Sequence, residues 1–297
     1  MERVGLVGLG NLGSAIAGRL VEVGVPLVAW NRTAERAEPL RARGAEVVGT
    51  PRELAERCDW AITVLADAAA LEAVLGGLDG VLAAERLPRA LIESSTISAS
   101  DSARLATMCA ERGLPTLRAP VSGSVQLASR GALSLLVSGD EGLLEACRPL
   151  LENIATVIRF VGPGEEARHL KLVLNLMVAV TAQMMGEALA LGEKAGLDWE
   201  QMLDVVANSA VGSPLVKYKQ TMLAARDYRP AATTRLIEKD LDLILASGRE
   251  LGVPLPMAAL ARQMYAAASA TGKGDLDFFS LVLQAEEMAG LGEAAGH

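Results

Sequence analysis

The feature that most constrains the fold is a regular alternation of short β-rich apolar runs with amphipathic helical segments, from residue 3 to about residue 160. Such alternation is typical of parallel strands joined by crossover helices, so it predicts an α/β domain built on a doubly wound sheet. The predicted strands are Val4–Val7, Pro26–Trp30, Trp60–Leu65, Ala90–Glu93, Thr116–Arg118, Leu133–Ser138 and Thr156–Phe160.

The strand pattern stops after Gly162-Pro163-Gly164, and the rest of the sequence reads as helices separated by Gly- and Pro-rich turns. We therefore predict two domains, an α/β domain over residues 1–162 and an all-helical domain over residues 163–297. Because 51% of the 297 residues are hydrophobic, the chain can fill two cores. Polar residues interrupt the apolar run Leu170–Leu191, so we expect a buried helix there and no membrane partner.

Charge and cysteine content exclude several classes of partner and site. The formal net charge is -8, with 36 acidic against 28 basic residues, which argues against nucleic-acid binding. Cys58, Cys109 and Cys147 show no CxxC spacing, so neither a disulfide framework nor a metal site is expected. The N-terminus runs directly into the first predicted strand without a signal-peptide pattern. We expect a cytoplasmic protein.

A glycine-rich turn, Gly8-Leu9-Gly10-Asn11-Leu12-Gly13, directly follows the first predicted strand and precedes a helix. In this context Gly8 permits the tight turn, Gly10 lets a pyrophosphate approach the backbone, and Gly13 lets the helix pack on its strand. The turn therefore predicts a dinucleotide site that includes Asn11 and Leu12. The alternative is a glycine-rich turn that binds no dinucleotide.

The second predicted strand ends at Asn31-Arg32-Thr33, where an NAD enzyme would place an acidic residue on the ribose hydroxyls. No carboxylate stands here to repel a 2′-phosphate, and the Arg32 guanidinium is able to bind one. Arg36, one helical turn later, adds a second cation. The tripeptide favours NADP(H) as the cofactor, unless Arg32 is simply a solvated surface residue.

Two polar residues, Lys171 and Asn175, lie four apart in a predicted apolar helix and share one helical face. The sequence contains only two histidines, His169 and the C-terminal His297, and His169 lies about 200° around the helix from Lys171. An ammonium next to a carbonyl can stabilise the alkoxide that hydride transfer creates and can protonate it. Most Lys/Asn pairs lie on ordinary helix surface, but the apolar surroundings favour a cleft or a paired lysine.

Two loops that follow predicted strands carry hydroxyl groups. Ser122, Gly123 and Ser124, in the loop Ala119–Ser124, could hold a substrate carboxylate with hydroxyls and backbone amides, or could form a simple strand-to-helix turn. Ser94-Ser95-Thr96 could cap the next helix or contact the nicotinamide ribose.

In this order the motifs resemble those of the β-hydroxyacid dehydrogenase family, which includes 3-hydroxyisobutyrate dehydrogenases and glyoxylate/succinic semialdehyde reductases. The resemblance covers nearly the whole chain. It implies an α/β protein with an N-terminal Rossmann-type doubly wound sheet, a second all-helical domain that supplies homodimer or homotetramer contacts, and a cleft between the domains. The motifs are Gly8–Gly13, Asn31-Arg32-Thr33, Val64-Leu65-Ala66-Asp67, Ser95-Thr96, Ala119–Ser124, Lys171 with Asn175, and Lys239-Asp240-Leu241.

The resemblance also implies roles for single residues. Lys171 would be the catalytic lysine, with Asn175 beside it, while Ser122 and Gly123 would bind the substrate carboxylate. The cofactor would contact Leu65, Ala66, Thr96 and Lys239. Ser124 and the single Asn after Lys171 are similar to the glyoxylate/succinic semialdehyde reductase branch, which implies reduction of a small aldehyde or keto acid with NADPH.

The sequence departs from the family pattern at two positions, and other activities stay open. Arg118 replaces a usual acidic residue, and Ala232 replaces an aromatic residue seven positions before Lys239, which would enlarge or reshape the substrate pocket. The alternatives are a 3-hydroxyisobutyrate-type oxidation, an imine reductase, and a non-catalytic dinucleotide-binding scaffold. Imine reductases and degenerate family members generally lack the lysine at position 171, so its presence favours carbonyl chemistry.

Overall fold

The structure, a computed structural model, describes residues 2–291, and His297 lies outside the described residues. Contacts within the chain divide it into two compact units after Lys171. The first unit contains a sheet and its covering helices, and the second unit contains helices. The long helix Glu166–Lys194 begins in the first unit and continues into the second.

The strands of the described residues all lie in the first unit. They are β1 Val4–Val7, β2 Leu27–Trp30, β3 Glu46–Val47, β4 Trp60–Thr63, β5 Ala90–Glu93, β6 Thr116–Arg118, β7 Val121–Ser122, β8 Leu133–Ser138 and β9 Ala155–Gly162. Four of the seven predicted strands have the predicted bounds, and the other three differ by one or two residues at one or both ends. The prediction misses β3 and β7, because two residues leave no readable alternation pattern.

The sheet has the strand order β3-β2-β1-β4-β5-β6-β8-β7, and β9 pairs with β8. Strands β1 to β6 are parallel to one another, as predicted, but β8 runs antiparallel to β6 and β7. The prediction of parallel strands is therefore wrong at this end of the sheet. Only residues 123–132 join β7 to β8, and a connection of this length favours an antiparallel neighbour over a parallel crossover.

Helices cover both faces of this sheet, which confirms the doubly wound architecture. On β1, Leu6 packs in one core with Ile16 and Leu20 of the first helix, while Val7 packs in a second core with Leu54. Burial of successive residues on opposite faces is expected of a parallel sheet. The α-helices wholly within this unit are α1 Asn11–Glu22, α2 Glu38–Arg41, α3 Pro51–Arg57, α4 Ala68–Gly76, α5 Ala99–Glu111, α6 Val125–Ser129 and α7 Glu141–Leu151.

The second unit has no named strand among residues 172–291, which confirms the predicted helical C-terminal domain. Its core surrounds Tyr265 and Phe279, both fully buried. Its α-helices, with the one shared by both units, are α8 Glu166–Lys194, α9 Trp199–Asn208, α10 Pro214–Ala224, α11 Thr234–Leu251, α12 Pro256–Ala268 and α13 Leu281–Met288.

Helix α8 is only partly the buried helix that the sequence predicts. Ala179, Ala182 and Met185 are buried in the core of the second unit, but Met177 and Met184 are more than half exposed. Within the described residues, α8 is also long and apolar enough to span a membrane by length and composition, and 44% of its most apolar stretch is buried inside the structure. Core helices of soluble proteins share this length and composition.

Candidate active site

The glycine turn between β1 and α1 has the shape that a dinucleotide site requires. Gly8 has a φ of +98°, and a Cβ added there would lie 2.3 Å from the Val64 carbonyl oxygen. A Cβ on Gly13 would lie 1.9 Å from the Gly8 carbonyl oxygen, so neither position accepts a side chain. By contrast, a Cβ on Gly10 would meet no atom within 4 Å. The open space at Gly10, next to the exposed Asn11 and half-buried Leu12 at the start of α1, fits a pyrophosphate.

Asn31 at the end of β2 braces this turn. Its Oδ1 accepts a hydrogen bond from Leu9 N at 2.8 Å, and its Nδ2 donates to the Thr33 carbonyl at 2.9 Å. Gly8 N also donates to the Trp30 carbonyl at 3.0 Å. The side chain of Asn31 therefore holds the backbone of the turn in position, and its contact with the cofactor stays a prediction.

Arg32 and Arg36 follow β2 and are both exposed, as is Thr33. Within residues 2–291, no carboxylate lies within ion-pair distance of either guanidinium. The two cations are therefore available to an anionic ligand at this strand end.

The loops after β4 and β5 lie side by side in the first unit. Leu65 N donates to Ser95 Oγ at 2.9 Å, so the structure joins two of the predicted motifs. Ser98, not Ser94, Ser95 or Thr96, caps α5 by accepting from Asp101 N at 3.0 Å. The capping alternative for Ser94-Ser95-Thr96 is therefore wrong. Ala66 is exposed and Thr96 is half-buried in these loops.

The loop between β7 and α6 contains another backbone position that requires glycine. Gly123 has a φ of +141° and is exposed, and Ser122, half-buried, ends β7. The hydroxyl of Ser124 caps α6 by accepting from Leu127 N at 3.3 Å. Ser122 and the amides around Gly123 are thus better placed than the Ser124 hydroxyl to bind a carboxylate.

Lys171 and Asn175 lie one turn apart on α8, Lys171 half-buried and Asn175 buried. Asn175 Nδ2 donates to Asp240 Oδ2 of α11 at 2.6 Å, and Lys239 Nζ lies 3.0 Å from Asp240 Oδ1. A buried carboxylate thus joins two predicted site residues, Asn175 and Lys239. Since a carboxylate only accepts hydrogen bonds, Nδ2 must face it, and Asn175 Oδ1 is left as an acceptor.

Asp240 is a candidate site residue that the sequence interpretation misses, because it gave Asp240 no role although the motif Lys239-Asp240-Leu241 contains it. The sequence does contain a pattern that points to Asp240. The buried positions of α11 include Ile237, Asp240, Leu241 and Ile244, spaced by three and four residues along one helical stripe. An acidic residue on such an apolar stripe must be paired inside the protein, and helical periodicity alone could have identified it.

Comparisons with known proteins identify the family of the chain. Residues 3–162 match a family model described as the NAD binding domain of 6-phosphogluconate dehydrogenase. Residues 166–284 match a model described as the NAD-binding domain of NADP-dependent 3-hydroxyisobutyrate dehydrogenase. The two matches together cover nearly all of both units.

Three relatives are each 31% identical to the chain. They are 2-(hydroxymethyl)glutarate dehydrogenase of Eubacterium barkeri (99% of this chain, 98% of the relative), glyoxylate/succinic semialdehyde reductase 1 of Arabidopsis thaliana (94% and 96%), and the human cytokine-like nuclear factor N-PAC (93% and 50%). The chain therefore spans about half the length of N-PAC, but nearly the full length of the two enzymes.

Solved structures are similar over the same extent. A 3-hydroxyisobutyrate dehydrogenase from Salmonella typhimurium has a TM-score of 0.86 at 29% identity, covering 96% of this chain and 100% of that one. Psf3, solved in complex with NADP+ and 2-OPP, has a TM-score of 0.86 at 26% identity, covering 95% and 99%. The chain belongs to the β-hydroxyacid dehydrogenase family of pyridine-nucleotide-dependent oxidoreductases.

Proposed function

We propose that this protein reduces a small aldehyde or keto acid with NADPH, a reaction of the kind for which its Arabidopsis relative is named. The observation that carries the proposal is the half-buried Lys171 on α8, one turn before the buried Asn175–Asp240 pair. A half-buried lysine next to an amide whose orientation is fixed, here that of Asn175, suits proton transfer to a bound ligand. The reverse reaction, oxidation of a β-hydroxy acid, uses the same groups.

The proposed mechanism assigns each step to a side chain. NADPH, when bound, would supply the hydride. The Lys171 ammonium stabilises the negative charge that develops on the carbonyl oxygen and then donates a proton to it. Asn175, held by Asp240, offers Oδ1 as an acceptor that orients the ammonium or the product hydroxyl. Ser122 and the amides around Gly123 hold the carboxylate of the substrate.

The preference for NADPH is supported by Arg32 and Arg36. Both are exposed at the end of β2, where a 2′-phosphate would lie if the dinucleotide crosses the glycine turn. A guanidinium can bind a phosphate through two parallel hydrogen bonds, while no carboxylate stands at this strand end to select the 2′-hydroxyl of NADH.

A substrate panel tests the reaction. We expect NADPH oxidation with glyoxylate or succinic semialdehyde, and slower turnover with NADH. Larger aldehydes belong in the panel because Ala232, half-buried in the second unit, replaces an aromatic residue of the family pattern. Cyclic imines test the imine-reductase alternative, and turnover of imines in place of carbonyls would contradict the proposal.

Lys171→Ala tests the catalytic assignment and the scaffold alternative together. We expect this variant to bind NADPH with unchanged affinity, measured by nucleotide fluorescence, and to lose turnover by about a hundredfold or more, because proton transfer contributes about that much. Lys194→Ala, at the exposed C-terminal end of the same helix, is the matched control and should keep full activity. Unchanged turnover of Lys171→Ala would refute the role of this lysine.

We also propose a homo-oligomer in the reducing cytoplasm. Met177, Met184 and Leu191 are exposed and seven residues apart on one face of α8, and a second subunit would cover this apolar face. Cys58, Cys109 and Cys147 are buried and unpaired. Light scattering after size exclusion tests the oligomer, and a monomer at micromolar concentration would contradict it.

A further inference from the structure

The first turn of α8 is attached to the β5–α5 loop by one fully buried arginine. Arg168 forms an ion pair with the Glu93 carboxylate, donates from Nη1 to the Ser95 carbonyl, and donates from Nη2 to the Glu93 carbonyl at 3.2 Å. Its Nε donates to Ser102 Oγ of α5 at 3.2 Å. One side chain of the helix thus satisfies acceptors on both sides of the loop that carries Thr96.

The position of Arg168 is unfavourable for a cation unless its contacts are specific. It lies in the first turn of a helix, where the macrodipole disfavours positive charge, and its side chain is 1% exposed. Burial lowers the pKa of Arg168 to about 9, so the residue is still charged at neutral pH. A buried charge at this helix end needs its partners, and all of them lie in or beside one loop.

Glu93 and Ser95 extend these contacts to the loop after β4. Glu93 Oε1 accepts from Ser95 N at 2.7 Å, and Ser95 Oγ accepts from Leu65 N at 2.9 Å. The loop is therefore held on one side by Arg168 and on the other by the Leu65 backbone. The predicted cofactor residues Leu65 and Thr96 are tied to the first turn of α8 through Ser95.

A second ion pair lies next to the first. Glu93 and Arg118 are register partners at the ends of the parallel strands β5 and β6. Arg118 Nε donates to Glu165 Oε1 at 2.7 Å, and Glu165 is the residue just before α8, three positions before Arg168. Glu93 at the end of β5 thus pairs with Arg168 in the first turn of α8, and Arg118 at the end of β6 pairs with Glu165 just before α8. We name Glu93, Arg118, Glu165 and Arg168 the α8 clamp.

We propose that the α8 clamp positions Lys171 against the Ser95–Thr96 loop, with Arg168 as its central positioning residue; this inference rests on the proposed function. Lys171 is three residues after Arg168, so the two are neighbours on the helix surface. The hydrogen bonds of the guanidinium to the Ser95 and Glu93 carbonyls fix the first turn of α8, both in its rotation about the helix axis and in its position along that axis. The Lys171 amine projects from the next residues of this helix. A displacement of about 1 Å in such a group can lower turnover about a hundredfold.

The test is the double variant Glu93→Gln/Arg168→Met, which removes both buried charges together while Gln keeps an acceptor for Ser95 N. We expect kcat to fall about ten- to a hundredfold and the dissociation constant of NADPH to stay within about threefold. In this double variant, backbone amide hydrogen exchange should become faster in residues 166–175 and stay unchanged in α4. The matched control, Glu72→Gln/Arg104→Gln, removes an exposed bidentate pair in the same unit and should leave kcat unchanged.

Arg168→Lys is the conservative variant, and it also serves if the double variant does not fold. It keeps a cation opposite Glu93 but cannot reach both loop carbonyls, so we expect an intermediate kcat, no change in the KM for NADPH, and faster exchange at the start of α8.

Three outcomes would overturn the inference. Wild-type kcat in a folded double variant or in Arg168→Lys would overturn the positioning role while an inactive Lys171→Ala leaves the proposed function standing. A parallel loss of kcat and NADPH affinity would show a general structural role instead. If Lys171→Ala keeps its turnover, the proposed function fails and the inference fails with it. Failure of the proposed function is therefore measured on Lys171→Ala, independently of the Arg168 variants.

Discussion

Removing the Asp240 carboxylate should impair catalysis through Asn175 and Lys239. In Asp240→Ala, the buried Asn175 Nδ2 loses its acceptor at 2.6 Å, and Lys239 loses its carboxylate at 3.0 Å. An unsatisfied buried donor costs about 1–3 kcal/mol, and each 1.36 kcal/mol is a factor of ten in rate or affinity. If about 1.4–2.7 kcal/mol of this penalty falls on the reactive geometry, kcat/KM decreases by about ten- to a hundredfold.

Asp240→Asn should have a smaller effect, because the amide oxygen can still accept from Asn175 Nδ2 while Lys239 loses only the charge of its partner. We expect a decrease in kcat/KM of about three- to tenfold, since hydrogen bonds to charged groups exceed neutral ones by about 1 kcal/mol. The ranking of the two variants distinguishes loss of the hydrogen bond from loss of the charge.

Steady-state kinetics with NADPH and the best carbonyl substrate measure both effects, and urea unfolding measures the accompanying loss of stability. Asp242→Asn is the matched control: it removes an exposed carboxylate two positions along α11 that pairs with Arg262. The control should keep wild-type kinetics. Wild-type kcat/KM in Asp240→Ala, or an equal loss in the control, would refute the assignment of Asp240 to the site.

Two further predictions concern the cofactor and the pH dependence of stability. Arg32→Ala should raise the KM for NADPH about tenfold and leave the KM for NADH unchanged, because an exposed charge-assisted hydrogen bond contributes about 1.5 kcal/mol; equal effects on both cofactors would contradict the 2′-phosphate assignment. Burial and the hydrogen-bonded Glu193 carboxyl raise the pKa of Glu286 to about 7, so the folded state binds more protons than the unfolded state, and stability falls as pH rises from about 4.5 to 7. Glu286→Gln should therefore raise Tm relative to the wild type at pH 8, where Glu286 is ionised, but not at pH 5, where it is protonated in the folded state. A difference in Tm that is the same at both pH values would refute this reasoning.

The parts of the fold that the sequence predicts are those with local causes. The tight turn at Gly8 and the close packing at Gly13 follow from backbone sterics within six residues, and the long strands follow from apolar runs. The antiparallel direction of β8 depends on a neighbour about twenty residues away, and no pattern within either strand encodes it.

The site shows the same division between local and distant causes. Lys171 and Asn175 are recognisable together because helical geometry relates residues four apart. Asp240 meets Asn175 across 65 positions of sequence, and Arg168 meets the Glu93 carbonyl across 75. Pairings over such distances depend on tertiary packing, so a single sequence offers only the clue that a charged residue occupies an apolar stripe.

The pairing of Arg118 with Glu165 restricts how the substrate range of this enzyme can be engineered. A natural approach is to transplant the segment around Ala119–Ser124 from a relative, and such segments usually carry an acid where this chain has Arg118. In a chimera with an acidic residue at position 118 and an unchanged Glu165, two carboxylates would lie next to each other at the start of α8. Their repulsion could inactivate the chimera even if the transplanted loop binds its substrate. Positions 118 and 165 have to be exchanged as one unit.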